Sequence, residues 1–184
     1  MGDEGARTAR VELFTRMFRA HYELVVAYAE RRTGSREDAE DIAAATFAAA
    51  WRRLDGALAE ELQRSWLLSI ARGNLANHHR GRRRRRLLIR RALAERPPAS
   101  PAADGGLIVA ALDHLRPVEQ EILRLAAWEG LPPVEAAAVL GLTVNAYNVR
   151  LHRARRSLRA AYEDLQEQAQ GSRGDTYGTQ RGDQ

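Results

Sequence analysis

Residues 131–159, LPPVEAAAVLGLTVNAYNVRLHRARRSLR, decide how this chain is built. They read as two short helices joined by a tight glycine turn at Gly141, the second helix studded with arginine. On a helical wheel Tyr147, Leu151, Ala154, Leu158 and Ala161 fall in one narrow apolar arc, fit for burial. Asn145, Asn148, His152, Arg155, Arg156 and Arg159 point the opposite way, with Val149 and Arg153 beside them. A helix merely exposed to solvent mixes acids with bases, yet no acid occurs from Thr143 to Tyr162. One apolar face and one face of arginine, asparagine and histidine is the pattern of a recognition helix docked on DNA.

Working outward, the rest of the chain also reads as helix. Alanine and leucine dominate and β-branched residues are few, which favours helix by propensity. A first helix runs from Val11 to about Arg32, with Leu13, Phe14, Met17, Phe18, Leu24, Val25 and Tyr28 as its core candidates. Thr33-Gly34-Ser35 ends it, and Ser35 followed by Asp38 resembles a capping-box start for the next. That helix, Arg36 to Leu54, places Ala39, Ala43, Phe47, Ala50 and Leu54 on its buried side. Its other side carries Glu37, Asp41, Ala44, Ala48 and Arg52. A third helix from about Leu62 runs into the arginine block 82–86, with Trp66, Leu67, Ile70 and Ala71 inward. Residues 96–106, RPPASPAADGG, lack periodicity and read as a flexible linker. Beyond it lie Leu107 to Leu115, then a helix opened by Pro117 and running to Trp128, then the pair quoted above. The polar tail, 166–184, is expected to be disordered. The fold class is therefore all-α. Two small helical domains, 1–95 and 107–165, are joined by the linker, and the second contains a helix-turn-helix.

Charge distribution separates two surfaces. Formal net charge is +5, all 29 basic residues being arginine. From Arg72 to Arg96 there are ten arginines and one acid, whereas from Ser35 to Glu61 acids outnumber arginines. Such a chain can hold two different partners at once, one of them polyanionic. With no cysteine it can form neither a disulfide nor a thiolate metal site. The five histidines are scattered, no nucleophile–base arrangement or phosphate loop appears, and no metal or cofactor is expected. No apolar run approaches the roughly 20 residues needed to span a bilayer, so membrane insertion is not expected and a cytoplasmic, nucleoid-associated location is.

Four segments together resemble the extracytoplasmic-function (ECF) group of bacterial RNA polymerase sigma factors, in the sigma-70 family. YAERRTGSREDAEDIAAATFAAAWRRLD resembles the region 2 helix that binds the polymerase clamp. SWLLSIARGNLANHHRGRRRR resembles the strand-opening segment that reads the −10 element. ALDHLRPVEQEILRLAAWEGLPPVEAAAVLGLT resembles the first part of region 4, and VNAYNVRLHRARRSLR its −35 recognition helix. The resemblance implies a non-enzymatic subunit that binds core RNA polymerase and directs it to promoters. It implies a clamp-binding face on the β-prime subunit side made of Glu37, Asp41, Ala44, Ala45, Ala48 and Arg52. Alanines stand at 44 and 45 where the family commonly has an amide and an acid.

By the same resemblance Asn74, Asn77, His78, Arg80, Arg82 and Arg83 meet the −10 element. There a base is drawn from the stack at a cost of about a few kcal/mol. Asn148, Val149, His152 and Arg153 correspond to the −35 readers, asparagine suiting adenine and arginine guanine. Asn145, Arg155, Arg156 and Arg159 complete that surface, the arginines holding phosphates rather than reading sequence. An anti-sigma factor is the further partner implied. The competing reading is a transcriptional regulator that acts without polymerase, using the C-terminal helix-turn-helix alone.

Overall fold

The computed structural model describes residues 2–54, 58–92 and 106–175, with side-chain surroundings given for 4–54, 58–82 and 106–170. Among the described residues every regular element is an α-helix. They are α1 (Gly2–Thr33), α2 (Arg36–Arg53), α3 (Glu60–Ala92), α4 (Gly106–Asp113), α5 (Pro117–Ala127), α6 (Pro133–Leu140) and α7 (Val144–Asp175). The chain divides into two compact units, residues 1–97 with 134–142, and 98–133 with 143–184. This differs from the division drawn on sequence at one segment, 134–142. The expected linker falls almost wholly outside the described residues; only Gly106 lies within them, as the first residue of α4.

In the first unit α1, α2 and α3 pack against one another. The turn between α1 and α2 follows from three residues. Gly34 adopts φ +69°, a conformation that costs a glycine nothing, and its N–H donates to Glu30 O at 2.8 Å. Ser35 is the N-cap, its Oγ accepting from Asp38 N at 3.2 Å. The apolar stripe of α2 is buried as its spacing predicts, at Ala39, Ala43, Phe47, Ala50 and Leu54, with Ile42 and Ala49 added. Met17, Val25, Val26, Tyr28 and Ala29 of α1 meet it, as do Leu67, Leu68, Ile70, Ala71 and Leu75 of α3. Each fully buried leucine or valine contributes about 1.5–3 kcal/mol relative to exposure.

Two expectations for α1 change. Phe18 is not core but 39% exposed, the outer member of an aromatic group with Tyr22 (5.0 Å) and Phe47 (4.8 Å). The helix also begins at Gly2 rather than Val11. Arg10, in that added segment, lies over the Trp51 ring at 4.5 Å and hydrogen-bonds Trp51 O. An interaction with a residue of another helix leaves no local periodicity to detect.

In the second unit α4 and α5 pack on α7. Pro117 sits in the first turn of α5, where its missing N–H is no loss. Glu119, two residues on, accepts from Arg116 N at 3.2 Å and from the Arg116 guanidinium at 2.9 and 3.1 Å. Leu112, Ile122, Leu125, Tyr147, Leu151 and Ala154 are among the buried apolar residues of this unit. The α7 helix runs on to Asp175, so 166–175 is helical where the sequence suggested disorder, and 176–184 lies outside the described residues. The stretch DLQEQAQ is rich in helix formers and simply continues a helix already nucleated.

Candidate nucleic-acid interface

The short α6 helix ends at Gly141, φ +65°, whose N–H donates to Ala138 O at 3.2 Å. Two residues later Thr143 opens α7: its Oγ1 accepts from Ala146 N at 3.2 Å and its carbonyl from Tyr147 N at 2.9 Å. The turn thus fixes where α7 starts. Its register follows from burial of Tyr147, Leu151 and Ala154, with Leu158 and Ala161 half-buried. Burying that stripe forces the opposite side outward. Asn145, Asn148, Val149, His152, Arg153, Arg155, Arg156 and Arg159 are all exposed on α7. Arg150 is exposed as well, at the edge of the buried stripe.

Two polar groups back this helix from inside. Ser157 Oγ donates to Glu119 Oε1 at 3.5 Å, linking α7 to α5. Hydrogen bonding from Arg116 holds the Glu119 carboxyl below its ordinary range, so it stays ionised. The Tyr147 hydroxyl is buried without a partner among the described residues, and burial pushes its titration upward. It therefore contributes a neutral ring to the core.

The basic part of α3 divides in two. Asn74, His78 and Arg82 follow one another at four-residue intervals, and all three reach α2. Asn74 Nδ2 donates to Thr46 Oγ1 at 3.1 Å. His78 Nε2 lies 3.2 Å from Asp38 Oδ1, and Arg82 Nη1 donates to Asp38 Oδ2 at 2.7 Å. Asn77 and Arg80 stand on the other side, exposed, with the Arg80 guanidinium donating to Asn77 Oδ1. His79 is exposed too; partial burial, then the neighbouring His78 and Arg82, lower its pKa. The Arg83 side chain lies outside the described residues. The sequence grouped these six as one surface; the structure brings three of them onto α2 and leaves Asn77 and Arg80 outward. Of their partners, Asp38 is marked by the sequence only as part of the α2 cap, and Thr46 carries no sequence signal. The signal available was the wheel itself, which sets 74, 78 and 82 beside the buried Ala71 and Leu75.

A third surface lies on α2. Glu37, Asp41, Ala44, Ala45, Ala48 and Arg52 are all exposed, and at about 100° per residue they share one arc roughly 100° wide. Acids stand at its N-terminal end, three alanines along its middle and an arginine at its C-terminal end. Beside it Arg36 pairs with Glu40 (2.8 Å), Glu23 (3.5 Å) and Glu30 (3.5 Å). Among the described residues no helix is long and apolar enough to cross a membrane.

Two helical units, with the α6–turn–α7 segment ending in a helix whose outward face is rich in arginine, have the bipartite all-helical construction of a DNA-binding protein. Comparison with known proteins narrows the class. Residues 17–85 match Sigma-70 region 2 and residues 106–158 match Sigma-70 region 4. The chain is 32% identical to RNA polymerase sigma factor CnrH of Cupriavidus metallidurans over 157 residues, covering 77% of this chain and 82% of CnrH. It is 28% identical to ECF RNA polymerase sigma factor SigL of Mycobacterium tuberculosis over 169 residues, covering 88% of this chain and 95% of SigL. A solved structure of CnrH in complex with the cytosolic domain of CnrY is similar at a TM-score of 0.60 and 30% identity, covering 86% of this chain and 95% of that one. The chain belongs to the sigma-70 family of RNA polymerase sigma factors, in its ECF group.

Proposed function

We propose that this protein binds core RNA polymerase and directs it to promoters by reading two DNA elements, one with each unit. The observation that carries this reading is the outward, acid-free face of α7 together with an exposed polar and alanine face on α2. A regulator that binds DNA alone needs the first of these and has no use for the second. On α7, Asn148, Val149, His152 and Arg153 read base edges of the −35 element, and Asn145, Arg155, Arg156 and Arg159 set its position on the phosphates. On α3, Asn77 and Arg80 face the −10 element, while Asn74, His78 and Arg82 tie that helix to α2. On α2, Glu37, Asp41 and Arg52 frame an alanine floor over which a helix of the polymerase clamp can approach closely.

CnrH, the solved relative described above, is bound there to the cytosolic domain of CnrY, and the RpoE structure of Bartonella quintana is a complex with the anti-sigma factor NepR. An anti-sigma factor is accordingly the second protein partner proposed for this chain, which acts in the cytoplasm at the nucleoid. Chemistry belongs to the polymerase; this chain supplies recognition. The test is run-off transcription with purified core polymerase on a genomic promoter library. Discrete starts dependent on this protein are expected. Silence across the library, with tight duplex binding and no complex with core, would establish the stand-alone regulator instead.

A further inference from the structure

We infer that Asp38 is a positioning residue for −10 recognition: it contacts no DNA itself but sets the register and direction of the α3 segment that does. The inference rests on the functional reading above and deepens it. Asp38 lies in the first turn of α2, its backbone N–H already fixed by the Ser35 cap at 3.2 Å. Its carboxylate is only 27% exposed and uses both oxygens on α3, one for His78 at 3.2 Å and one for Arg82 at 2.7 Å. One anchored carboxylate therefore grips two successive turns of the basic helix.

The Asn74–Thr46 bond, two turns of α3 before Arg82, lies on the same stripe. Thr46 is itself buried and bonded to Ile42 O at 2.7 Å. Together the bonds form a polar seam, Thr46 with Asn74 and Asp38 with His78 and Arg82, that leaves α3 one rotational setting on α2. In that setting Asn77 and Arg80 are turned outward. Without Asp38 the seam ends at Asn74, and Arg82 loses the carboxylate that holds it on α2.

The seam makes opposite demands on two kinds of DNA binding. Removing the Asp38 charge frees Arg82 for phosphates, so non-specific affinity for duplex rises or holds. Sequence reading at the −10 element falls, because its side chains no longer share a fixed frame. A residue that only stabilised the fold would lower both together.

The experiment uses the full chain with core polymerase on a template library randomised at both promoter elements, sequencing the transcribed templates. For Asp38→Asn the preference for the favoured −10 sequence over random sequence falls by about fivefold, the loss expected for one ordinary hydrogen bond. Preference at −35, read on the same molecules by the other unit, is unchanged. Asp38→Glu restores part of the −10 preference. Amide exchange of residues 77–82 in the free Asp38→Asn protein speeds up while that of residues 146–154 does not. Full −10 preference in Asp38→Asn, or an equal loss at both elements, would overturn the assignment even though the unaltered protein initiates. Failure of the unaltered protein to initiate at all would instead overturn the functional reading, and the role of Asp38 with it.

Discussion

Replacing Arg155, Arg156 and Arg159 by glutamine together gives a test with a calculable size. All three are exposed on α7. None of them belongs to the buried stripe of Tyr147, Leu151 and Ala154, so the change leaves that stripe intact. If each neutralises one phosphate of B-form DNA, binding displaces about 0.9 condensed counterions per contact. The slope of log affinity against log salt is then shallower in the triple variant by roughly 2.7. Between about 50 and 200 mM salt the unaltered protein loses about 40-fold more affinity than the variant. Fluorescence anisotropy of a labelled duplex carrying the −35 element, titrated at several salt concentrations, measures both slopes. Asn148→Ala serves as the contrast: it keeps the unaltered slope and loses about 1–3 kcal/mol of discrimination between favoured and substituted sites. Equal slopes for the triple variant and the unaltered protein would refute the placement of this face on phosphate.

Three further outcomes are expected. Ala48→Arg places a long charged side chain in the middle of the exposed α2 arc; core polymerase binding, followed by gel filtration, falls at least about tenfold while the melting temperature shifts little, as for a surface change. Gly141→Ala costs about 1 kcal/mol in urea unfolding, through strain at φ +65° rather than through a clash, since nothing lies within 4 Å of the added carbon. Glu119→Gln removes a carboxylate whose pKa is lowered in the folded state, chiefly by Arg116. Such a group stabilises the fold above its unfolded pKa, and that contribution is lost as pH falls through the folded value. The melting-temperature gap between Glu119→Gln and the unaltered protein should therefore be widest near neutrality and close below about pH 4.

Much of this architecture is legible from residue spacing alone. The α7 register follows from a five-residue apolar arc, and the α2 core from alanines and Phe47 at helical intervals, because burial of one face dictates the rest. Local signals also suffice for the turns at Gly34, Ser35 and Gly141, whereas the Thr143 cap on α7 comes from the structure. What spacing does not carry is the partner across the bundle. Asn74, His78 and Arg82 look like DNA contacts when read beside Asn77 and Arg80; only packing reveals Thr46 and Asp38 opposite them. Arg10 over Trp51 is the same case, and it explains why α1 extends past the end of its apolar period. Helix length at the other end was missed for a different reason. A polar composition suits both a solvated coil and an exposed helix that extends from a packed one.

The reading of the chain as a promoter-selecting subunit is tested most directly by mapping transcript start sites after its overexpression in a bacterial host whose core polymerase binds it. The account requires a new set of starts, each preceded by two shared sequence elements at a constant separation. It also requires that changes at Asn148 and Arg153 redirect only the upstream element, and that changes at Asn77 and Arg80 redirect only the downstream one. No new starts despite binding to core, or starts sharing a single element indifferent to the α3 changes, would contradict it.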